Sequence, residues 1–157
     1  MPELLSITTH LSPPSGDRRE TGSRGERLAA EYLAANGYRL ILANFKVPIG
    51  RNTRGASVTG EIDIVALDED TLCFVEVKTK TSDEFADPLA SVTTRKQRQI
   101  TRTARVYRRI FGLTQMAYRF DVVSMVIEKH AEPKIQLIKG FWSESKFRKK
   151  AWSGDIY

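Results

Sequence analysis

Apolar and polar residues alternate most regularly between Gly60 and Lys78, and a period of two in such a run predicts paired β-strands. Gly60-Glu61-Ile62-Asp63-Ile64-Val65-Ala66 and Cys73-Phe74-Val75-Glu76-Val77-Lys78 flank an acidic turn. Ile62, Ile64 and Ala66 share a face with Cys73, Val75 and Val77, so that face is expected to meet the core, while the other face is mixed. With Asp68-Glu69-Asp70-Thr71 as a four-residue loop, Leu67 pairs with Leu72, Val65 with Phe74, Asp63 with Glu76 and Glu61 with Lys78. A one-residue slip would mix the two faces, which favours this register.

Elsewhere the period lengthens to that of a helix. Leu28, Ala29, Tyr32 and Leu33 recur at helical spacing and predict a helix from about Ser23, through Glu26, to a stop at Asn36-Gly37. Tyr38 to Phe45 reads as a strand. Lys46 to Thr59 carries Pro48, Gly50 and Gly55 with Lys46, Arg51 and Arg54, has no periodicity, and is expected to be a mobile basic loop. A second helix is predicted from Thr94, with Gln97 as capping partner, Ile100, Ala104, Tyr107 and Phe111 as its apolar stripe, and Gly112 at its end. Arg119 to Ile127 and Lys134 to Ile138 read as antiparallel strands. The organisation expected is a flexible leader over residues 1–20, one domain over 21–139, and a basic tail over 140–157 containing Phe141, Trp142 and Trp152.

Composition narrows the function classes. A chain of 157 residues with 41% hydrophobic content suffices for one well-buried core and not for two. The net charge of +6 favours polyanionic partners. No stretch approaches the roughly 20 apolar residues that span a bilayer, and no basic segment followed by an apolar run opens the chain, so a cytoplasmic protein without a membrane partner is expected. A single cysteine, Cys73, excludes an internal disulfide and a cysteine-based zinc site within one chain.

Candidate chemistry concentrates on the hairpin. Like charges placed opposite one another are destabilising, and a solvated face has no reason to keep Asp63 across from Glu76, so the pair points to a hard divalent cation, Mg²⁺ or Mn²⁺. Lys78 could orient a water or stabilise a phosphate charge. Glu61 beside Lys78 reads as a cross-strand ion pair worth about 0.2 to 1 kcal/mol. Glu26 lies three residues after Ser23, the spacing of a capping box, so local sequence leaves its role open. On the second helix Arg95, Arg98, Arg102, Arg105 and Arg109 form a ridge, and Thr94 to Phe111 contains no acidic residue, which favours phosphate binding; Lys96 could reach the edge of the active site, though a surface lysine is the simpler reading. Asp121 is open between a supporting role at the site and a pair with Arg119; no role falls to His10 or His130. For Trp142 and Trp152, packing of the tail on the domain is the commoner outcome than base stacking.

Gly25-Glu26, Gly-Glu-Ile-Asp-Ile-Val-Ala, Phe-Val-Glu-Val-Lys-Thr-Lys, the helix with Lys96, and Arg119-Phe120-Asp121-Val122-Val123, in that order, resemble the small bacterial YraN-like proteins. The resemblance runs from Gly22 to Ile127. It implies the α/β fold of the PD-(D/E)XK, restriction-endonuclease-like proteins and archaeal Holliday-junction resolvases, a mixed central sheet flanked by helices. It further implies that Asp63 and Glu76, with the Val77 carbonyl and Glu26, hold Mg²⁺ or Mn²⁺, and that Lys78 acts in catalysis. The expected activity is metal-dependent hydrolysis of phosphodiester bonds in DNA, branched or otherwise structured; the alternative is a catalytically silent nucleic-acid-binding module with the same fold. A four-way junction substrate would favour a homodimer through its two-fold symmetry.

Overall fold

The computed structural model describes residues 17–81 and 87–148; the first 16 residues of the expected leader, and Trp152, lie outside the described residues. Helix α1 (Asp17–Ala35) is followed by β1 (Arg39–Arg51), β2 (Ser57–Asp68), β3 (Thr71–Thr81), α2 (Thr94–Ile110), β4 (Tyr118–Ile127) and β5 (Lys134–Trp142), with 3₁₀ turns at Pro88–Ser91 and Glu144–Phe147. The five strands form one sheet in sequence order. Only β3 and β4 run parallel, and α2 lies in the crossover that a parallel pair requires. The expected mixed α/β sheet flanked by helices is therefore the observed architecture. Among the described residues no helix is long and apolar enough to cross a membrane.

The sheet is buried on both faces. Ala29 and Leu33 of α1 pack with Ile64, Ala66, Cys73, Val75, Val123 and Met125, while Ile100, Ala104 and Tyr107 of α2 pack with Val65, Leu72, Phe74, Phe120 and Val122. This corrects the expectation of one core face on the hairpin, and Ile62 joins the α2 cluster instead of sharing the environment of Ile64. Strands covered on both sides read as near-continuous apolar runs, as Leu72 to Val75 does. Trp142 stacks on Phe120 at 4.8 Å and 9°, and its Nε1 donates to Thr101 Oγ1 at 2.9 Å, which makes it a core residue. Phe111, assigned above to the apolar stripe, is the C-cap of α2 and 52% exposed.

Several boundaries differ from the sequence reading. Helix α1 begins at Asp17, so Ser23 lies inside it and the Ser23–Glu26 spacing is no capping box. The helix stops where expected, with Gly37 at a φ of 88° and Tyr38 N donating to Leu33 O at 3.0 Å. Thr93, not Thr94, caps α2 by accepting from Lys96 N at 3.2 Å. The hairpin keeps its predicted pairs Leu67↔Leu72 and Val65↔Phe74, but Asp68 and Thr71 pair as well, leaving a two-residue turn at Glu69-Asp70. The ladder then ends at Ile64↔Val75, so the expected pair of Asp63 with Glu76 does not form, because Asp63 turns its carboxylate to the Val77 amide instead. Glu61 lies opposite Lys46 of β1 and not opposite Lys78. The stretch expected to be a mobile loop is ordered as a ribbon: β1 and β2 stay paired out to Arg51↔Ser57 around a turn tied by Asn52.

Helix α1 approaches β3 closely at Gly25, where a Cβ would meet Thr79 Oγ1 at 2.2 Å, whereas a Cβ at Gly22 would meet nothing within 4 Å. Gly25→Ala should therefore destabilise the fold by about 1 to 2 kcal/mol, overpacking exceeding the gain in helix propensity, while Gly22→Ala should stabilise it by about 0.5 to 1 kcal/mol. Urea unfolding of both variants checks this; a stabilised Gly25→Ala would show that α1 does not press on β3.

Candidate active site

The site forms where β2 leaves β3. Asp63 Oδ2 accepts the backbone N–H of Val77 at 2.8 Å, just beyond the last ladder pair. An amide left unpaired there would cost about 1 to 3 kcal/mol, so this bond anchors the carboxylate on β3. Glu76 is 3% exposed, on the sheet face that packs under α2. Its Oε1 lies 3.3 Å from Lys78 Nζ and 3.9 Å from Lys96 Nζ, while its Oε2 is buried without a hydrogen-bond partner. The close packing at Gly25 carries Glu26 to the same locality, where Asp63 and Glu61 act on its carboxylate.

Burial and the Asp63 charge act on both glutamates. Burial first, then the Asp63 charge, push the Glu76 carboxyl up to about 7, against the opposing pull of Lys96 and Lys78. Burial, then Asp63, also raise the Glu26 carboxyl, and a hydrogen bond from the Asn44 side chain partly offsets this. Asn44 was not singled out in the sequence. It lies between the pairs Ala43↔Ile64 and Phe45↔Ile62, hence across from Asp63, and holds a left-handed φ of 54°. The available signal was an asparagine, a residue disfavoured in strands and tolerant of that conformation, inside an apolar strand run.

The remaining expected residues divide. Lys96 reaches the site through Glu76. Asp121 does not: fully buried on the α1 side, it accepts from Tyr38 Oη at 3.0 Å, Arg119 Nε at 2.7 Å and Gly140 N at 2.9 Å, so its pair with Arg119 is the correct reading. The arginine ridge is partly engaged by residues remote in sequence. Arg105 donates to Glu144 Oε1 at 2.6 Å, Arg102 donates to Ile49 O at 2.6 Å, and Arg98 lies over the Phe147 ring at 5.5 Å. Arg95 and Arg109 are solvent-exposed.

The donors present suit a small hard cation. Among the described residues no three His, Cys, Asp or Glu side chains gather into a metal cage. Mg²⁺ does not need one, because it commonly takes one or two carboxylates and keeps several waters. The unpartnered Glu76 Oε2, buried beside a second carboxylate, is the feature that a cation would satisfy.

A family model described as "Uncharacterised protein family UPF0102" matches residues 25–125. A UPF0102 protein of Chlorobium limicola is 39% identical, covering 82% of this chain and 97% of its own. One from Chlorobaculum parvum is 45% identical over 67% of this chain and 74% of its own, and another from Dehalococcoides mccartyi is 38% identical over 82% and 97%. A solved protein described as "Crystal structure of SSO0001" has 13% identity and a TM-score of 0.37, covers 81% of this chain and 54% of its own, and is too distant to carry an argument.

Because Glu76 titrates near 7 when folded and near 4.5 when unfolded, the folded state retains a proton that the unfolded state releases between those values. Stability of the metal-free protein should therefore fall by about 1 to 3 kcal/mol as pH rises from 5 to 8, Glu26 contributing with the same sign. Glu76→Gln should remove most of that fall. Urea unfolding in EDTA at the two pH values measures it, and an equal fall in the variant would place the titration elsewhere.

Proposed function

The chain belongs to the uncharacterised protein family UPF0102, and we propose that it is a metal-dependent nuclease that hydrolyses phosphodiester bonds in DNA. The observation that carries this reading is the buried Glu76 carboxylate, held beside Asp63 and two lysines with one oxygen unpartnered. A structural ion pair has no need of a second carboxylate or of an orphaned oxygen. Perturbed carboxylates with cations at an exposed edge fit a site that handles phosphate and water.

Asp63 and Glu76, with the Val77 carbonyl and Glu26, would hold Mg²⁺ or Mn²⁺. Such a cation would polarise the scissile phosphate and acidify a coordinated water. Asp63 is fixed by the Val77 amide, so its carboxylate is oriented before any ligand arrives. Lys78 is anchored on Glu76 while a quarter of its side chain remains exposed, which lets its ammonium face an incoming phosphate or water. Lys96 adds a second positive charge at the same carboxylate and would draw the DNA backbone towards it. Arg95, Arg98 and Arg109 extend that attraction along α2, with Arg102 and Arg105 also serving the fold.

A panel of linear, nicked, flapped and four-way DNA, with Mg²⁺, Mn²⁺ or EDTA, tests the activity. Asp63→Ala, Glu76→Ala and Lys78→Ala should each lower metal-dependent cleavage by about 100-fold or more while DNA binding persists. DNA binding without metal-dependent cleavage by the wild type would leave a silent binding module.

Thermal unfolding supplies a test without catalysis. In EDTA, Asp63→Asn should be as stable as wild type or more so, since the amide oxygen can still accept from Val77 while the repulsion with Glu76 is gone. Divalent metal at about 100 times its Kd should stabilise the wild type by about 2.7 kcal/mol, and the variant far less. A wild type indifferent to metal would overturn the metal site.

A further inference from the structure

We propose that the β1–β2 ribbon beyond Asp63 is an arm that engages duplex DNA. The proposal rests on the nuclease reading only in taking DNA as the polymer. Past Ile64, β2 has no ladder partner in β3 and continues with β1 alone to Arg51↔Ser57. From Asp63 to Ser57 the strand rises roughly 20 Å, or about six base pairs of duplex. Residues 46–60 contain Lys46, Arg51 and Arg54 and no acidic residue. Lys46 faces Glu61 at only 4.0 Å, with both groups well exposed.

Three contacts brace the ribbon on α2. Arg102 Nη2 donates to Ile49 O at 2.6 Å, and Gln99 Nε2 donates to Thr59 O at 3.1 Å. At Gly60 the two elements meet so closely that a Cβ would fall 1.9 Å from Thr103 Oγ1. The arm is thus held at a set angle from the same helix that presents Lys96 to Glu76. A two-stranded ribbon matches the width of the B-DNA major groove. The segment has no aromatic side chain on which unpaired bases could stack, which disfavours single strands. Pro48 and the register shift at Pro48/Gly50 interrupt the outer edge of β1, which disfavours strand addition by a second copy.

The test measures binding apart from cleavage: anisotropy of a labelled 30-base-pair duplex and of a single strand of equal length, in EDTA, between 50 and 200 mM salt. Arg51→Gln/Arg54→Gln should weaken duplex binding at least tenfold and lower the salt slope by about 2, with a smaller loss on the single strand. Arg51 Nη1 also donates to Gly55 O at 2.8 Å within the turn, so Arg54→Gln alone serves as the second variant, with an expected slope change of about 1. Wild-type affinity and slope in both variants would overturn the arm while leaving cleavage by the wild type, and its loss in Asp63→Ala, untouched. Equal losses on duplex and single strand would overturn the duplex assignment. A wild type that binds neither DNA would overturn the arm, and metal-dependent cleavage by the wild type would still decide the nuclease reading separately.

Discussion

Pairing of β2 with β3 stops after Ile64↔Val75, and the Val77 amide that a longer ladder would have used donates instead to Asp63. This exchange of a backbone acceptor for a carboxylate organises the rest of the molecule. It holds a charged side chain at the end of a rigid ladder, and it lets β2 diverge from β3 without leaving that amide unpaired. Glu76 and Lys78 flank Val77, so both stand at the fork. The departing part of β2 stays paired with β1, and the resulting ribbon requires a brace, which α2 provides.

Two buried carboxylates on opposite faces of the sheet show how satisfaction separates scaffold from site. Asp121 meets Tyr38, Arg119 and the Gly140 amide, and Arg119 extends the network to Asp68, which Lys139 also contacts. Nothing there is left for a ligand, and burial with the neighbouring Asp121 charge pushes the Cys73 thiol up to about 12, which keeps it inert. Glu76 is as deeply buried, yet one oxygen lacks a partner and a second carboxylate lies near it. A buried polar atom without a partner is rare in a folded chain, and this one sets Glu76 apart from Asp121.

Helix α2 serves both ends of this arrangement. Its inner face supplies Ile100, Ala104 and Tyr107 to the core, and Lys96 near its start faces Glu76. Along the arginine stripe the neighbours alternate. Arg102 turns to the ribbon, whereas Arg98 and Arg105 turn to Phe147 and Glu144 after β5. Fixing the ribbon and the chain after β5 with cations places both beside the same basic helix surface.

Periodicity alone revealed the hairpin register, both helices and the strands that follow them, because those signals reside in local spacing and in which side chains shun water. Asp63, Glu76 and Lys78 were legible for a related reason: charged residues at intervals in an apolar strand have to be accounted for. Local spacing could not show that Glu61 pairs with Lys46, that Glu144 engages Arg105, or that the Asn44 side chain hydrogen-bonds Glu26. Each of those contacts joins residues whose proximity follows from the sheet order. Residues 46–59 were misread as a loop because proline and glycines there erase the alternation, and only pairing across β1 and β2 with support from α2 makes them strands. The chain's own pattern determined where helices and paired strands would form and which charges were unusual, whereas burial of both hairpin faces followed only from the two helices packed on them. Tertiary structure decided which charges would be neutralised, since a buried carboxylate is satisfied or left open only by groups that the fold brings to it from elsewhere.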